Sequence, residues 1–254
     1  HPLAESALVE LFRETGERRY LELAVFFLDQ RGHGLLGDNN GRWYFGGPAY
    51  FQDHVPVREA WALEGHAVRA LYLASGSVDA YLEGGDEALL RASERQWQDL
   101  VKGKLYLTGG IGQRPETEGL GHRYELPPGR GYCETCAAVA SVQWNWRLLL
   151  ATGKVRYAEL IERTLYNGVL PGVSADGRTF FYANTLQSDG SHRRAEWHYV
   201  ACCPPNLMRL VASVAHYAAT HDDGGIQVHQ YLDATFEVGS PGGTVRPASG
   251  RDSR

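Results

Sequence analysis

The sequence predicts a mainly helical protein of the α/α toroid kind, an arc of helical hairpins carrying long loops and a small β-hairpin. Three observations predict it. A helix–glycine–helix word recurs, since "TGERRYLEL" (15–23) matches "TGKVRYAEL" (152–160) at six of nine positions. These copies are too far apart and too irregular for a solenoid built on repeats of ~20–45 residues. The segments between them are longer than connectors need to be, and long ordered loops tend to carry function.

In chain order, "PLAESALVELFRETG" places Leu3, Ala7, Leu8 and Leu11 on one stripe and stops at Gly16. "ERRYLELAVFFLDQRG" carries Tyr20, Leu23, Ala24 and Phe27 at helical spacing and stops at Gly32. A looser third relative of the repeated word is "SGSVDAYLE" (75–83), in the helix that "GHAVRALYLA" opens. "SVQWNWRLLLATGKVRYAELIERTLYNGVL" reads as helix, Gly153, helix, Gly168. Two loops interrupt the helices, over 109–134 and 172–206. In the second, "TFFYANTL" and "WHYVACC" have β-propensity and flank a polar turn, which predicts a hairpin. "PPNLMRLVASVAHY" is a further helix, and "GGIQVHQYLDATFEV" begins as a strand. Beyond it, "GSPGGTVRPASGRDSR" has no apolar pattern, so residues 239–254 are expected to be a disordered or aberrant tail.

The 254 residues are 43% hydrophobic and 22% charged, ordinary for a soluble globular chain able to bury a substantial core. A net charge of -5 argues against a general nucleic-acid binder, because affinity for polyphosphate rests on clustered Lys and Arg. No apolar run approaches the ~20 residues that span a bilayer, so no membrane partner is expected. The opening "HPLAES" has neither the basic nor the apolar region of a signal peptide.

All four cysteines fall in or beside the two long loops, as "GYCETCAA" (131–138) and "VACCPPN" (200–206). Both pairs precede apolar helices, where free N–H groups and the macrodipole favour thiolates. A disulfide framework is disfavoured by the low cysteine count, and a vicinal Cys202–Cys203 bridge would close a strained ring. Tetrahedral zinc accepts Cys, His and carboxylate ligands, and two sets compete. One is Cys133, Cys136, Cys202 and Cys203, a structural knuckle. The other is Glu134, Cys136, Cys202 and Cys203. Glu116, Glu118, His122 and Glu125 crowd the loop ahead of them, and His66 opens an otherwise apolar helix. Aromatic residues at Trp43, Tyr44, Trp61, Tyr132, Tyr182, Trp197 and Tyr199 supply the apolar platforms that a sugar cleft needs beside carboxylates, although most such residues pack helices.

The words "GHAVRALYL", "LTGGIG", "YELPPGRGYCETCA", "ERTLYNGVL", "FFYANTL" and "CCPPN" resemble glycoside hydrolase family 127, the β-L-arabinofuranosidases, in family order from about Pro2 to Gln230. The resemblance implies an (α/α)6 barrel, with residues 1–238 as an incomplete barrel catalytic domain. It implies zinc held by Glu134, Cys136, Cys202 and Cys203, with Cys202 as nucleophile, Glu118 as general acid/base, and His66 and Tyr182 against the sugar. A modestly elevated pKa would suit Glu118, and Glu116 is its rival. Cys133 departs from the family's usual small residue. The family chain is also far longer, so this piece is expected to expose apolar helix faces and to be inactive or poorly folded alone. The implied partner is an oligosaccharide or glycan, with homo-oligomerisation left open. Reduced thiols favour the cytoplasm. The competing expectations are a non-catalytic helical scaffold stapled by a four-cysteine zinc, and a glycosidase of the same fold for another sugar.

Overall fold

The structure is a computed structural model that describes residues 1–36, 47–233, 235–237 and 246–247. Trp43 and Tyr44 lie outside the described residues, as does the 239–254 tail apart from Arg246–Pro247. Among the described residues seven α-helices dominate: α1 (Ala4–Thr15), α2 (Arg18–Gln30), α3 (Ala67–Gly84), α4 (Glu87–Gly103), α5 (Thr135–Thr152), α6 (Val155–Thr164) and α7 (Cys203–Ala212). Helices α1, α3, α5 and α7 stand side by side as an inner row, while α2, α4 and α6 each pack outside the helix they follow. This is part of an (α/α)6 barrel. None of the described helices is long and apolar enough to cross a membrane.

The three hairpins turn in the same way. Gly16, Gly85 and Gly153 adopt left-handed φ values of 72°, 74° and 66°, and each donates its N–H to the carbonyl four residues back. Only glycine takes that conformation without a steric cost, and it closes the helix C-terminus. The middle hairpin turns at Gly85–Asp86, where Asp86 accepts from the Ala88 N–H and caps α4. "SGSVDAYLE" is therefore not a third copy of the turn word, because it lies inside α3. Gly168 is not a helix stop either. A π-turn over Leu165–Val169 carries α6 through it, and a Cβ there would stand 3.4 Å from Ala138 Cβ, so the site serves close packing against α5.

The core is centred on α3 and α5, which are buried on nearly all sides. Two indoles stitch α4 to α5. Trp97 Nε1 donates to Asn145 Oδ1 at 2.7 Å, and Trp144 Nε1 to Ser93 Oγ at 2.8 Å. The pair α3 and α5 run the same way, since Arg147 near the end of α5 grips Asp79 near the end of α3 at 2.7 Å. Both N-termini consequently lie at one end of the arc.

The apolar stripes read from the first two helices face the core only in part, through Ala24, which is buried, and Leu8, which packs against Val9, Leu21 and Ala24. Helix α1 buries Glu5, Ser6 and Val9 and leaves Leu11 45% exposed; α2 buries Leu21, Ala24 and Leu28 and leaves Phe26 52% exposed. The inward face of α1 is set by its close approach to α3, where a Cβ on Gly76 would stand 2.8 Å from Glu5 Cβ. Glu5 is accepted there because Arg31 lies 3.4 Å from it.

β-Propensity misplaces the hairpin. Residues 180–200 pair only at Phe180 and Ala195, which exchange two backbone hydrogen bonds. Neighbouring backbone groups of 181–184 are taken by the start of α5 instead. Tyr182 O accepts from Thr135 N, and Ala183 bridges to Glu134. The described hairpin is β1 (Ala219–Asp222) with β2 (Gly225–Val228), followed by a two-residue ladder of β3 (Phe236–Glu237) with β4 (Arg246–Pro247). That ladder gives two residues of the expected disordered tail a partner.

Trp144 is fully buried and hydrogen-bonded at the α4–α5 seam. Trp144→Ala should cost about 3–5 kcal/mol, read as a lower urea midpoint. A loss below about 1 kcal/mol would contradict the placement of the core at this seam.

Candidate active site and metal cluster

The N-termini of three neighbouring inner helices converge, and the residue before each helix reaches the same spot. His66 precedes α3, Glu134 precedes α5, and Cys202 precedes α7. Free N–H groups and the positive ends of the helix dipoles favour negative charge at such a point. Pro204 and Pro205 open α7, where a missing N–H breaks no helical bond.

One ligand atom from each of Glu134, Cys136, Cys202 and Cys203 lies within 4.8 Å of the others. Cys136 Sγ and Cys203 Sγ are 3.4 Å apart, and Cys202 Sγ and Cys203 Sγ 3.7 Å. Glu134 Oε1 stands 3.4 Å from Cys202 Sγ and 3.7 Å from Cys203 Sγ. Tetrahedral zinc bonds of ~2.3 Å to sulfur and ~2.0–2.2 Å to oxygen require edges of roughly 3.5–3.8 Å. Four of the six separations thus lie near the edges of a zinc tetrahedron, and the other two stay within 4.8 Å. Glu134 is 2% exposed, and its Oε2 has no hydrogen-bond partner, an arrangement that is costly for a carboxylate without a cation. Burial, then the neighbouring Cys202 and Glu118, push its pKa well above the carboxylate range. All four cysteines are free thiols. Hydrogen bonds from Cys136 and then Cys203 hold the Cys202 thiol far below its ordinary pKa, while those two thiols are pushed up. Cys202 is the least buried of the three.

Cys133 stands outside the group. Its backbone adopts φ 38°, turning the chain so that Tyr132 and Glu134 face the site while its own thiol packs on Gly110. Asn184 fixes that turn, donating its backbone N–H and Nδ2 to Cys133 O at 3.1 and 3.0 Å. Burial raises the Cys133 thiol to about 12, so it stays protonated at neutral pH.

Facing Cys202 across the site is Glu118. His66 Nε2 lies 3.0 Å from Glu118 Oε2, and the hydroxyls of Tyr132 and Tyr182 donate to Oε1 at 3.0 and 3.1 Å. The Tyr182 hydroxyl also lies 3.3 Å from Cys202 Sγ, so a single hydroxyl joins the carboxylate to the thiol. Glu118 adopts φ 50°, a left-handed conformation that costs a non-glycine residue about 1–3 kcal/mol and that turns its side chain inward. The loop around it is braced by Arg114, which grips Glu125 at 2.9 and 2.7 Å. Glu125 is thus a brace, held at about 2 by that guanidinium first of all. Glu116 points away to an exposed pair with Arg130. The expected pKa elevation of Glu118 is not found. The His66 hydrogen bond first, then those of Tyr132 and Tyr182, hold it below the usual carboxylate range.

The structure thus brings together His66, Glu118, Glu134, Cys136, Tyr182, Cys202 and Cys203 and leaves out Cys133, Glu116 and Glu125. Sequence reasoning missed the part of Tyr132 as a second hydroxyl on Glu118. It also missed His198, whose ring lies edge-on to Tyr182 at 5.6 Å. Asn206, which donates to Cys136 Sγ at 3.1 Å, was passed over too. A signal for Asn206 existed, because a residue four after Cys202 shares its helix face.

Residues 1–216 match the family model described as β-L-arabinofuranosidase, GH127 catalytic domain. A non-reducing end β-L-arabinofuranosidase of Bifidobacterium longum subsp. longum is 38% identical over 265 aligned positions, covering 94% of this chain and 40% of that protein. A GH127 β-L-arabinofuranosidase from Geobacillus stearothermophilus T6 superposes with a TM-score of 0.84 at 38% identity, over 90% of this chain and 39% of that one. Another solved GH127 β-arabinofuranosidase gives 0.82 at 42% identity, over 90% and 34%. The chain therefore spans well under half the length of these relatives. From the family match and the shared arc of helices, the chain belongs to glycoside hydrolase family 127.

Proposed function

We propose that this chain serves a zinc-dependent retaining glycoside hydrolase that releases β-L-arabinofuranose-type sugars from a glycan, with residues 1–238 forming part of its catalytic domain. The observation that carries the reading is the single Tyr182 hydroxyl shared by Cys202 and Glu118. It keeps nucleophile and acid/base one hydroxyl apart, in keeping with the close pairing (~5–5.5 Å) of the two carboxyls in retaining glycosidases. The activities named for the relatives support the sugar assignment.

Glu134, Cys136, Cys202 and Cys203 would hold the zinc, which when bound keeps its thiolate ligands deprotonated at neutral pH. In the first step the Cys202 sulfur pair forms a bond to the anomeric carbon as the glycosidic C–O bond breaks. Glu118 gives its proton to the departing oxygen. In the second step Glu118 takes a proton from water, whose oxygen attacks the same carbon, and the C–S bond breaks to restore the thiolate. His66 and Tyr182 orient the sugar. Sugar hydroxyls that displace donors from Glu118 raise its pKa toward the range an acid needs. A thiolate nucleophile requires reducing conditions, which supports a cytoplasmic setting.

Hydrolysis of an aryl β-L-arabinofuranoside tests the nucleophile. Cys202→Ser should lower kcat by about 10³-fold or more, equivalent to about 4 kcal/mol of barrier, with the fold unchanged by circular dichroism. Retained turnover in that variant would refute the thiolate mechanism. The pH profile tests Glu118. As general acid it must be protonated in the free enzyme, so kcat/KM falls as pH rises through its pKa. Tyr132→Phe removes a donor that favours the ionised form, which should move this alkaline limb to higher pH. A limb that stays put would exclude Glu118 as the titrating acid.

A further inference from the structure

Three sulfurs sit in the cluster, yet their neighbours differ. Cys202 Sγ lies 3.3 Å from the Tyr182 hydroxyl oxygen, whose own proton goes to Glu118 Oε1. Cys203 Sγ faces only the other thiols, Glu134 Oε1 and, at 4.0 Å, the Tyr182 carbonyl, which is an acceptor. Cys136 Sγ alone receives an amide N–H, from Asn206 Nδ2 at 3.1 Å. The orientation of that amide is fixed by chemistry. Arg209 Nη2 donates to Asn206 Oδ1, and a guanidinium has no acceptor, so the oxygen must face it and the NH₂ must face the sulfur. Helix α7 sets this geometry, because Asn206 lies in its first turn and Arg209 lies three residues on.

We propose that Asn206, oriented by Arg209, is a positioning residue for the thiolate cluster, fixing Cys136 as its permanent ligand. The proposal rests on the metal reading given above. An N–H···S bond to a thiolate disperses its charge and ties the sulfur to the protein frame, as outer partners do for other metal ligands. Cys202 has no such amide and keeps its charge available, so the bond sets the inert ligand apart from the reacting one. Asn206 therefore separates two sulfurs of identical chemistry by a contact that one receives and the other lacks. Arg209 has no contact with a sulfur and acts through the amide.

Cobalt(II) substitution tests this without an activity assay, since sulfur-to-cobalt charge-transfer absorption reports the electron density on the thiolates. The unaltered protein should bind one Co²⁺ per chain with an intense near-ultraviolet band. Asn206→Leu, which cannot donate, should shift that band and weaken Co²⁺ and Zn²⁺ affinity by about 10–100-fold in chelator competition. Asn206→Asp, nearly the same shape and still able to accept from Arg209, guards against loss of fold and should shift the band in the same way. Arg209→Ala should give a smaller shift in the same direction. Bands and affinities equal to those of the unaltered protein in both Asn206 variants would overturn the proposal. Failure of the unaltered protein to take up Co²⁺ would overturn the metal reading and this inference with it.

Discussion

The site depends on one constraint, the convergence of the N-termini of α3, α5 and α7 at a single end of the arc. A helix start leaves backbone N–H groups unpaired and carries partial positive charge. Three such starts together create a place where carboxylates and thiolates are favoured despite burial. The residues that exploit it are the ones just before each helix or one turn inside: His66, Glu134, Cys136, Cys202, Cys203 and Asn206. The hairpin turns at Gly16, Gly85 and Gly153 return the chain so that successive inner helices start at the same end. The Asp79–Arg147 ion pair fixes α3 against α5 deeper in the arc, and so fixes how their starts meet.

Strain is placed where it aims side chains. Glu118 and Cys133 both carry left-handed backbones without being glycine. At Glu118 the turn separates an inward carboxylate from the outward Glu116, which ends in an exposed ion pair with Arg130. At Cys133 it sends two flanking residues, Tyr132 and Glu134, into one site and the thiol between them out of it. Hydrogen bonds from Asn184 to Cys133 O, and from Ala67 N to Glu118 O, hold these turns in place. The rigid arc compensates for local cost at the functional loop.

Much of this was legible in the sequence. Glycine punctuation marked the hairpins correctly at Gly16 and Gly153, because helix ends are local events. Cysteine placement before apolar helices marked the cluster, because ligands at helix starts leave a local pattern too. What was not legible was tertiary. The stripe of Leu3, Ala7, Leu8 and Leu11 looks like a core face, but the approach of α1 to Gly76 turns Glu5 and Ser6 inward, and of the stripe Leu8 alone packs on the core. The 180–200 segment has strand propensity, yet its backbone bonds go to the start of α5. The depressed pKa of Glu118 comes from three donors that lie 52, 14 and 64 residues away in the chain, at His66, Tyr132 and Tyr182. No local pattern reports donors so distant.

In the zinc site we propose, the convergent helix starts supply one carboxylate and three thiolates and leave Cys133 aside. X-ray absorption at the zinc edge on the metal-loaded protein tests it most directly. The expected spectrum shows three sulfurs at ~2.3 Å and one oxygen at ~2.0–2.2 Å around the metal. A shell of four sulfurs, or one without sulfur, would contradict it.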